Sequence, residues 1–162
     1  MKGKLKIILA AGIATAVIFT IFSLFTKEKV NLPYEFVVYK TPNCGCCGNY
    51  VDYLKSYGLK VITIETSEYE VNRIKNSFKI PIDLYSCHTV LINDLSGKTL
   101  YFVEGHVPIE AINKLLEEKP NIDGIALPGM PSGSPGMPGL KLYSFKIYAV
   151  KDGENKGMFL EI

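Results

Sequence analysis

The hydrophobic pattern divides the chain into one long uncharged segment, followed by short runs that alternate between strand-like and helix-like periods. Four runs rich in β-branched and aromatic residues predict strands at Glu35–Lys40, Lys60–Glu65, Thr89–Asn93 and Thr99–Glu104. Three runs with apolar residues at helical spacing predict helices over 47–57, 67–78 and 108–119. The predicted order of elements is therefore β-α-β-α-β-β-α.

This order predicts the pairing of the strands. Two strands separated by a helix imply a right-handed parallel crossover, whereas the turn at 94–97 implies an antiparallel hairpin. Together they predict an α/β domain with the thioredoxin-like arrangement, extending over residues 35–162.

The segment 127–139, with the sequence LPGMPSGSPGMPG, interrupts the pattern. It repeats Pro-Gly-Met twice, and proline and glycine alternate too often for a helix or a sheet. Strand-like runs follow at 141–150 and 157–162, separated by a turn at Asp152, and they are able to form a hairpin. We therefore expect a Met/Pro/Gly loop followed by short strands.

The N-terminus predicts a membrane anchor. Three lysines within the first six residues precede an uncharged stretch over 7–25 that is long enough to span a bilayer. No small-residue cleavage site closes this stretch, which favours an uncleaved signal anchor over 1–26 with a linker over 27–34. A cleaved signal peptide is the alternative, and the protein would then be secreted or periplasmic. Both interpretations place the remaining chain outside the cytoplasm, in the periplasm or at the cell surface.

Composition narrows the class of partner. The 162 residues carry a formal charge of +2, and no basic stripe interleaved with aromatic residues occurs, so a nucleic-acid partner is not expected. Three of the four cysteines fall at Cys44, Cys46 and Cys47, and the fourth, Cys87, directly precedes His88. Two structural disulfides are one explanation, but adjacent cysteines seldom pair with each other, and Cys44 and Cys47 have the C-x-x-C spacing of redox sites.

The predicted topology brings these residues together. The first strand ends, the third begins and the fourth ends at the same edge of the sheet, so all four cysteines, His88 and His106 are expected there. Each histidine could instead have a purely structural role, in the core or in a turn. Thiolate with imidazole suits zinc or copper, and thiolate with thioether selects Cu(I). Met130 and Met137, in the Met/Pro/Gly loop, would then either contact the metal or cover the site.

Four segments in this order resemble the CopG-like periplasmic metal-binding proteins, domain-of-unknown-function family 411, which are associated with copper tolerance. The matching segments are VYKTPNCGCCG at 38–48, SCHT at 86–89, VEGHVP at 103–108 and LPGMPSGSPGM at 127–137. The resemblance implies a thioredoxin-like domain outside the cytoplasm that handles copper and changes its oxidation state. The candidate functional residues that it implies are Cys44, Cys46, Cys47, Cys87, His88, His106, Met130 and Met137.

The leading hypothesis is an extracytoplasmic, membrane-tethered protein that binds Cu(I)/Cu(II) and serves copper homeostasis, with metal binding favoured over catalysis. Its expected partners are copper ions, a copper chaperone, exporter or redox partner protein, and the membrane through the N-terminal helix. One alternative is a thiol–disulfide oxidoreductase that uses Cys44 and Cys47, although His88 follows Cys87 where thioredoxins carry a proline. A zinc or iron–sulfur protein is a second alternative.

Overall fold

A computed structural model of the protein describes residues 33–162. The predicted anchor over 1–26, and the linker as far as residue 32, lie outside the described residues. Within residues 33–162, no helix combines the length and the apolar character needed to cross a membrane.

The described chain is a mixed α/β structure with a seven-stranded sheet and three α-helices. The strands are β1 (Glu35–Lys40), β2 (Lys60–Glu65), β3 (Thr89–Asn93), β4 (Thr99–Glu104), β5 (Gly124–Ala126), β6 (Lys146–Lys151) and β7 (Glu154–Glu161). The helices are α1 (Gly45–Ser56), α2 (Glu68–Ser77) and α3 (Ile109–Glu118), with a short 3-10 turn at Ile82–Leu84. The predicted order β-α-β-α-β-β-α is confirmed for the first seven of these strands and α-helices.

The sheet has the strand order β2-β1-β3-β4-β5-β6-β7. The β1–β2 pair is parallel, as the intervening helix predicts, and β3 pairs antiparallel with both β1 and β4. The register places Thr89 opposite Tyr39 on one side and opposite Glu104 on the other. The end of β1, the start of β3 and the end of β4 therefore lie together, as the sequence predicts. We call this end of the central strands the functional edge of the sheet.

The C-terminal third differs in detail from the prediction. The strand β5 was not predicted because its three residues are too few to show alternation, yet it pairs parallel with β4. The strand β6 begins at Lys146 rather than at 141, since Leu140, Leu142 and Tyr143 are exposed. The strand β7 begins at Glu154, earlier than predicted, and pairs antiparallel with β6.

Apolar side chains cover both faces of the sheet. On one face Phe36 and Val38 pack in a core with residues of α1 and α3, among them Leu54 and Ile112. On the other face a smaller cluster contains Val37, Leu91, Phe102, Ile80 and Leu84. Each fully buried aliphatic or Phe side chain contributes roughly 1.5–3 kcal/mol. Two packed faces give the functional edge of the sheet a rigid base.

The Met/Pro/Gly loop over 127–139 forms neither helix nor strand, as predicted. It lies against the first turns of α1, where the side chain of Asn49 donates a hydrogen bond to Gly136 O at 3.3 Å. Gly136 has φ of 80°, and a Cβ at this position would come within 2.6 Å of Tyr50 N and 2.7 Å of Cys46 O. Only glycine therefore allows the loop to approach the helix this closely.

We predict that Gly136→Ala destabilises the protein more than Gly129→Ala does. Both glycines have positive φ, 80° and 76°, so both substitutions introduce similar backbone strain of roughly 1–2 kcal/mol. A Cβ at Gly129 meets nothing within 4 Å, whereas one at Gly136 collides with the backbone of α1, which adds about 1–3 kcal/mol of overpacking. Urea unfolding of the two variants measures the difference. Equal losses in the two variants would contradict this account of the loop.

Candidate metal centre

The start of α1 presents three cysteines at the functional edge. Cys44 is the N-cap residue, and its N–H donates to Thr41 O at 3.2 Å. Cys46 and Cys47 lie in the first turn, because the helix begins at Gly45 rather than at 47. Cys44 and Cys47 are joined in a disulfide with their Cα atoms 5.3 Å apart. The C-x-x-C spacing is thus used for a disulfide, and Cys46 remains a free thiol.

Cys87 approaches this turn from the segment before β3. Its Sγ lies 3.3 Å from Cys47 Sγ and 4.0 Å from Cys46 Sγ, while Cys46 Sγ lies 3.5 Å from Cys44 Sγ. All four sulfurs fall within 4.8 Å of one another. Residues 43 positions apart in the sequence therefore form one cluster of sulfur atoms.

Both histidines contact the same cysteine. Cys87 Sγ lies 3.1 Å from His106 Nε2 and 3.4 Å from His88 Nδ1. Ligand atoms of these three residues also lie within 4.8 Å of one another. Cys87 belongs to both groups, so its sulfur could serve as a ligand to a metal ion held by either of them.

The orientation of His106 is fixed by the Met/Pro/Gly loop. Its Nδ1 lies 2.7 Å from Pro135 O, and because a carbonyl oxygen only accepts, Nδ1 must carry the proton. In the neutral ring Nε2 then carries a lone pair, and this atom faces Cys87. Metal-ligating histidines typically donate their other ring N–H to a carbonyl or a carboxylate in this way. The orientation therefore fits a ligand role for His106.

His88 is fully buried and packs against two rings. Its centroid lies 4.7 Å from that of Tyr50 and 4.7 Å from that of His106, the latter in an edge-on arrangement. Its Nε2 is buried and finds no hydrogen-bond partner among residues 33–162. A polar atom left unsatisfied in this way costs about 1–3 kcal/mol. The other ring nitrogen, Nδ1, lies 3.4 Å from Cys87 Sγ, and the sulfur and imidazole donors together suit the cluster to a soft metal ion.

The predicted site residues divide into two sets. Six of them, Cys44, Cys46, Cys47, Cys87, His88 and His106, meet at the functional edge. The two methionines are not members of these two groups: Met130 is 41% exposed, and Met137 is half-buried in the loop. The loop contributes Pro135 O to the centre, and both predicted roles of the methionines, contact with the metal and cover over the site, stay predictions.

Burial controls the protonation of the centre. It lowers the pKa of His88 well below its usual value, and the nearby His106 and Lys75 lower it further. Burial also lowers the pKa of His106, although the contact with Pro135 O opposes this. Burial, together with the neighbouring Cys46, raises the pKa of the Cys87 thiol to about 12. Without metal, both imidazoles are therefore neutral and Cys87 is a thiol at pH 7.

Sequence reasoning did not identify four residues around the centre. Tyr50 packs on both imidazoles, Pro135 orients His106, and Lys75 forms a buried ion pair with Glu104. The one available signal was a charged residue in an otherwise apolar setting: Lys75 follows Val71 by one helical turn, and Glu104 ends an apolar strand. The contribution of Pro135 is made by its backbone, which carries no sequence signal.

Comparisons with known proteins agree on the family. Residues 84–137 match the family described as protein of unknown function, DUF411. A solved structure of copper resistance protein CopG, Form 2, is 33% identical, with a TM-score of 0.68 over 81% of this chain and 99% of that one. A second structure, Form 1, is 32% identical, with a TM-score of 0.68 over 81% of this chain and 98% of that one. No curated protein sequence matches the chain significantly.

We predict that neither imidazole of the metal-free protein titrates near pH 6.5. Because the folded state lowers both pKa values, the unfolded state binds more protons, so these groups make stability fall as the pH drops below about 6.5. NMR of the imidazole protons follows the titration directly, since the chain has two histidines in all.

The same prediction is tested by the free energy of unfolding of a His106→Gln variant at several pH values. Removing one histidine should reduce the slope of unfolding free energy against pH by up to about 1.4 kcal/mol per pH unit below pH 6.5. The comparison between variant and wild type is needed because burial raises the pKa of Glu104, which acts in the opposite sense. Parallel slopes, or an imidazole that titrates near pH 6.5 in the folded protein, would contradict it.

Proposed function

Because the chain belongs to the CopG-like DUF411 family, we propose that it binds copper outside the cytoplasm and serves copper homeostasis through its Cys/His cluster. The observation that carries this proposal is the position of Cys87 Sγ, which lies 3.1 Å from His106 Nε2 and within 4.8 Å of three other sulfurs. Copper is here the cargo of the site.

The donor set favours the reduced ion. Thiolates and imidazoles together suit copper or zinc, and a majority of sulfur donors favours Cu(I) over Cu(II). With the disulfide reduced, Cys44, Cys46, Cys47 and Cys87 supply four thiolates, and the two histidines supply neutral nitrogens. Copper binding has to displace the proton of the buried Cys87 thiol, so binding releases protons and strengthens as the pH rises.

The disulfide supplies a route for a change of oxidation state. Reducing Cys44–Cys47 takes two electrons and two protons, and oxidising two Cu(I) ions to Cu(II) supplies two electrons. Cys46 Sγ lies 3.5 Å from Cys44 Sγ and Cys87 Sγ lies 3.3 Å from Cys47 Sγ, so metal held by these two thiols would lie beside the redox pair. We therefore propose that the dithiol and the bound copper exchange electrons.

The location and the partners are proposed from the sequence. Lysines followed by an uncharged segment over 7–25 support a membrane anchor with the described domain outside the cytoplasm. The parallel β1–β2 pair with the antiparallel β3–β4 hairpin supports a thioredoxin-like core. A copper chaperone, exporter or redox partner protein would deliver or accept the ion.

We predict that the reduced domain binds Cu(I) tightly and that Cys46→Ser, Cys47→Ser and Cys87→Ser each weaken binding. Cys87→Ser should weaken it most, because this sulfur belongs to both groups of ligands. Competition with a colorimetric Cu(I) chelator under anaerobic conditions measures the affinity. Met158→Ala is the matched control, since Met158 is 58% exposed on β7.

The same experiment separates copper from other metals. Metal analysis with absorption spectra distinguishes a colourless zinc protein and a brown iron–sulfur protein from a copper protein. If the wild-type domain bound Cu(I) no better than a variant with all four cysteines changed to serine, the proposed function would be wrong.

A thiol–disulfide oxidoreductase is the second candidate, favoured by the Cys44–Cys47 disulfide at the start of a helix. Its difficulty is His88, which follows Cys87 where thioredoxins carry a proline, so the groove that would hold a substrate peptide lacks that residue.

We predict that the protein reduces insulin disulfides far more slowly than a thioredoxin at equal concentration, with dithiothreitol as the reductant. The physical reason is that His88 stands where thioredoxins carry the proline beside which a substrate peptide docks. If wild type matched thioredoxin and Cys44→Ser abolished the activity, the oxidoreductase would become the leading function.

A further inference from the structure

We propose that the buried ion pair of Lys75 and Glu104 positions Cys87 and His88 for metal binding, an inference that rests on the proposed function of the centre. Lys75 lies on α2 and Glu104 is the last residue of β4. Their side chains are 2% and 0% exposed, and Lys75 Nζ donates to Glu104 Oε1. Neither residue is a member of the two groups of ligand atoms.

The pair holds both ends of the segment Ser86–Thr89, which carries the two ligands in its middle. At one end, the Ser86 N–H donates to Glu104 Oε1 at 2.6 Å, and Ser86 O accepts from Lys75 Nζ at 2.9 Å. At the other end, Thr89 Oγ1 donates to Glu104 Oε2 at 2.6 Å. The two ion-pair side chains thus satisfy the backbone groups on one side of the ligands and a hydroxyl on the other.

The charge state of the pair follows from these contacts. Glu104 accepts from an ammonium, a backbone N–H and a hydroxyl, and an acceptor of three such donors is best satisfied as a carboxylate. Burial raises the pKa of Glu104, while Lys75 and the hydrogen bonds from Thr89 and Ser86 lower it. The ammonium and the carboxylate therefore compensate each other in the interior.

The same strand end also leads directly to the other histidine. Gly105 follows Glu104, and its N–H donates to His88 O at 3.1 Å. Gly105 has φ of 79°, and a Cβ there would come within 2.6 Å of Leu127 O and 2.7 Å of Ser86 Cβ. The chain can therefore turn from Glu104 to His106 only because residue 105 is glycine. Glu104, whose carboxylate holds the segment with Cys87 and His88, is thus two residues from His106.

Stability alone does not explain such a pair. A buried ion pair loses hydration on both sides, and apolar residues of similar size often replace it at no cost to stability. What apolar residues could not provide is a partner for the N–H and C=O of Ser86 or for the hydroxyl of Thr89. Groups that orient metal ligands from behind typically contribute to metal affinity. The position of this pair, directly behind the ligand segment, fits that role.

The test measures the alkylation rate of Cys87 in the metal-free protein and the affinity for Cu(I) in the reduced protein. In a Cys46→Ser background with the disulfide intact, Cys87 is the one free thiol, because the chain has four cysteines. We expect Glu104→Gln, which removes the charge with little change of shape, to increase the rate of Cys87 alkylation by iodoacetamide several-fold, because the segment that holds the thiol is no longer fixed. In the reduced protein with Cys46 restored, it should weaken Cu(I) binding by about 10–100-fold.

Asp123→Asn is the matched control. Asp123 also accepts from a lysine, Lys151 Nζ at 2.9 Å, and from a backbone N–H, that of Asp152 at 2.6 Å, but it does not touch the segment Ser86–Thr89. This variant should change neither the alkylation rate nor the copper affinity, whatever its effect on the free energy of unfolding. A purely structural role for Lys75–Glu104 would instead make both measurements follow the loss of stability in both variants.

The outcomes distinguish this proposal from the proposed function. If wild type bound no copper but Glu104→Gln still exposed Cys87 to alkylation, the positioning role would stand and the copper function would fall. Unchanged alkylation in Glu104→Gln would overturn the positioning role even if copper bound tightly. If Glu104→Gln did not fold, the same measurements would be made on the double variant Lys75→Met/Glu104→Gln. This variant leaves no unpaired buried charge. Failure of both to fold would show that the pair serves the fold and would overturn the proposal.

Discussion

The antiparallel pairing of β3 with both β1 and β4 is the constraint on which the centre depends. It turns the end of β1, the start of β3 and the end of β4 toward one edge, so that three segments distant in sequence meet there. Thr89 has a pairing partner on each side, so Cys87 and His88 lie directly before β3, between the ends of β1 and β4. A shift of one residue in either register would move these side chains to the opposite face of the sheet.

Placing polar ligands at a buried edge creates hydrogen-bonding groups that need partners. Two devices supply most of them: the Met/Pro/Gly loop offers Pro135 O to His106, and the Lys75–Glu104 pair serves the segment that contains Cys87. Tyr50 covers both imidazoles and donates its own hydroxyl to Val107 O at 2.7 Å. The Nε2 of His88 is left over within the described chain. The side-chain oxygen of Ser86, next to Cys87, likewise finds no partner there, so residues 33–162 do not satisfy every buried polar group beside the centre.

The sequence allowed much of this to be predicted, because the strong signals were periodic. The strands β1 to β4 follow from runs of β-branched and aromatic residues, and the three helices follow from helical spacing, glycine and proline. The convergence of the cysteines and histidines follows from strand direction alone. The features that the sequence did not predict show no such pattern. The strand β5 has three residues and no pattern, and Pro135 acts through its carbonyl. The pairing of Lys75 with Glu104 joins residues 29 apart through a tertiary contact, which a single sequence does not encode locally.

The state of Cys44 and Cys47 determines what the centre can hold. In the disulfide form these two sulfurs are not thiolates, so Cys46, Cys87 and the imidazoles are the donors that remain. Fewer of the donors are then soft thiolates. Reduction restores two thiolates at the positively polarised start of α1, where the helix dipole favours them. In the disulfide form Cys87 is protonated at pH 7, because burial raises its pKa to about 12. Under the proposed function, the preference for Cu(I) should therefore be greatest when the dithiol is reduced, and binding should strengthen as the pH rises because the ion displaces the Cys87 proton.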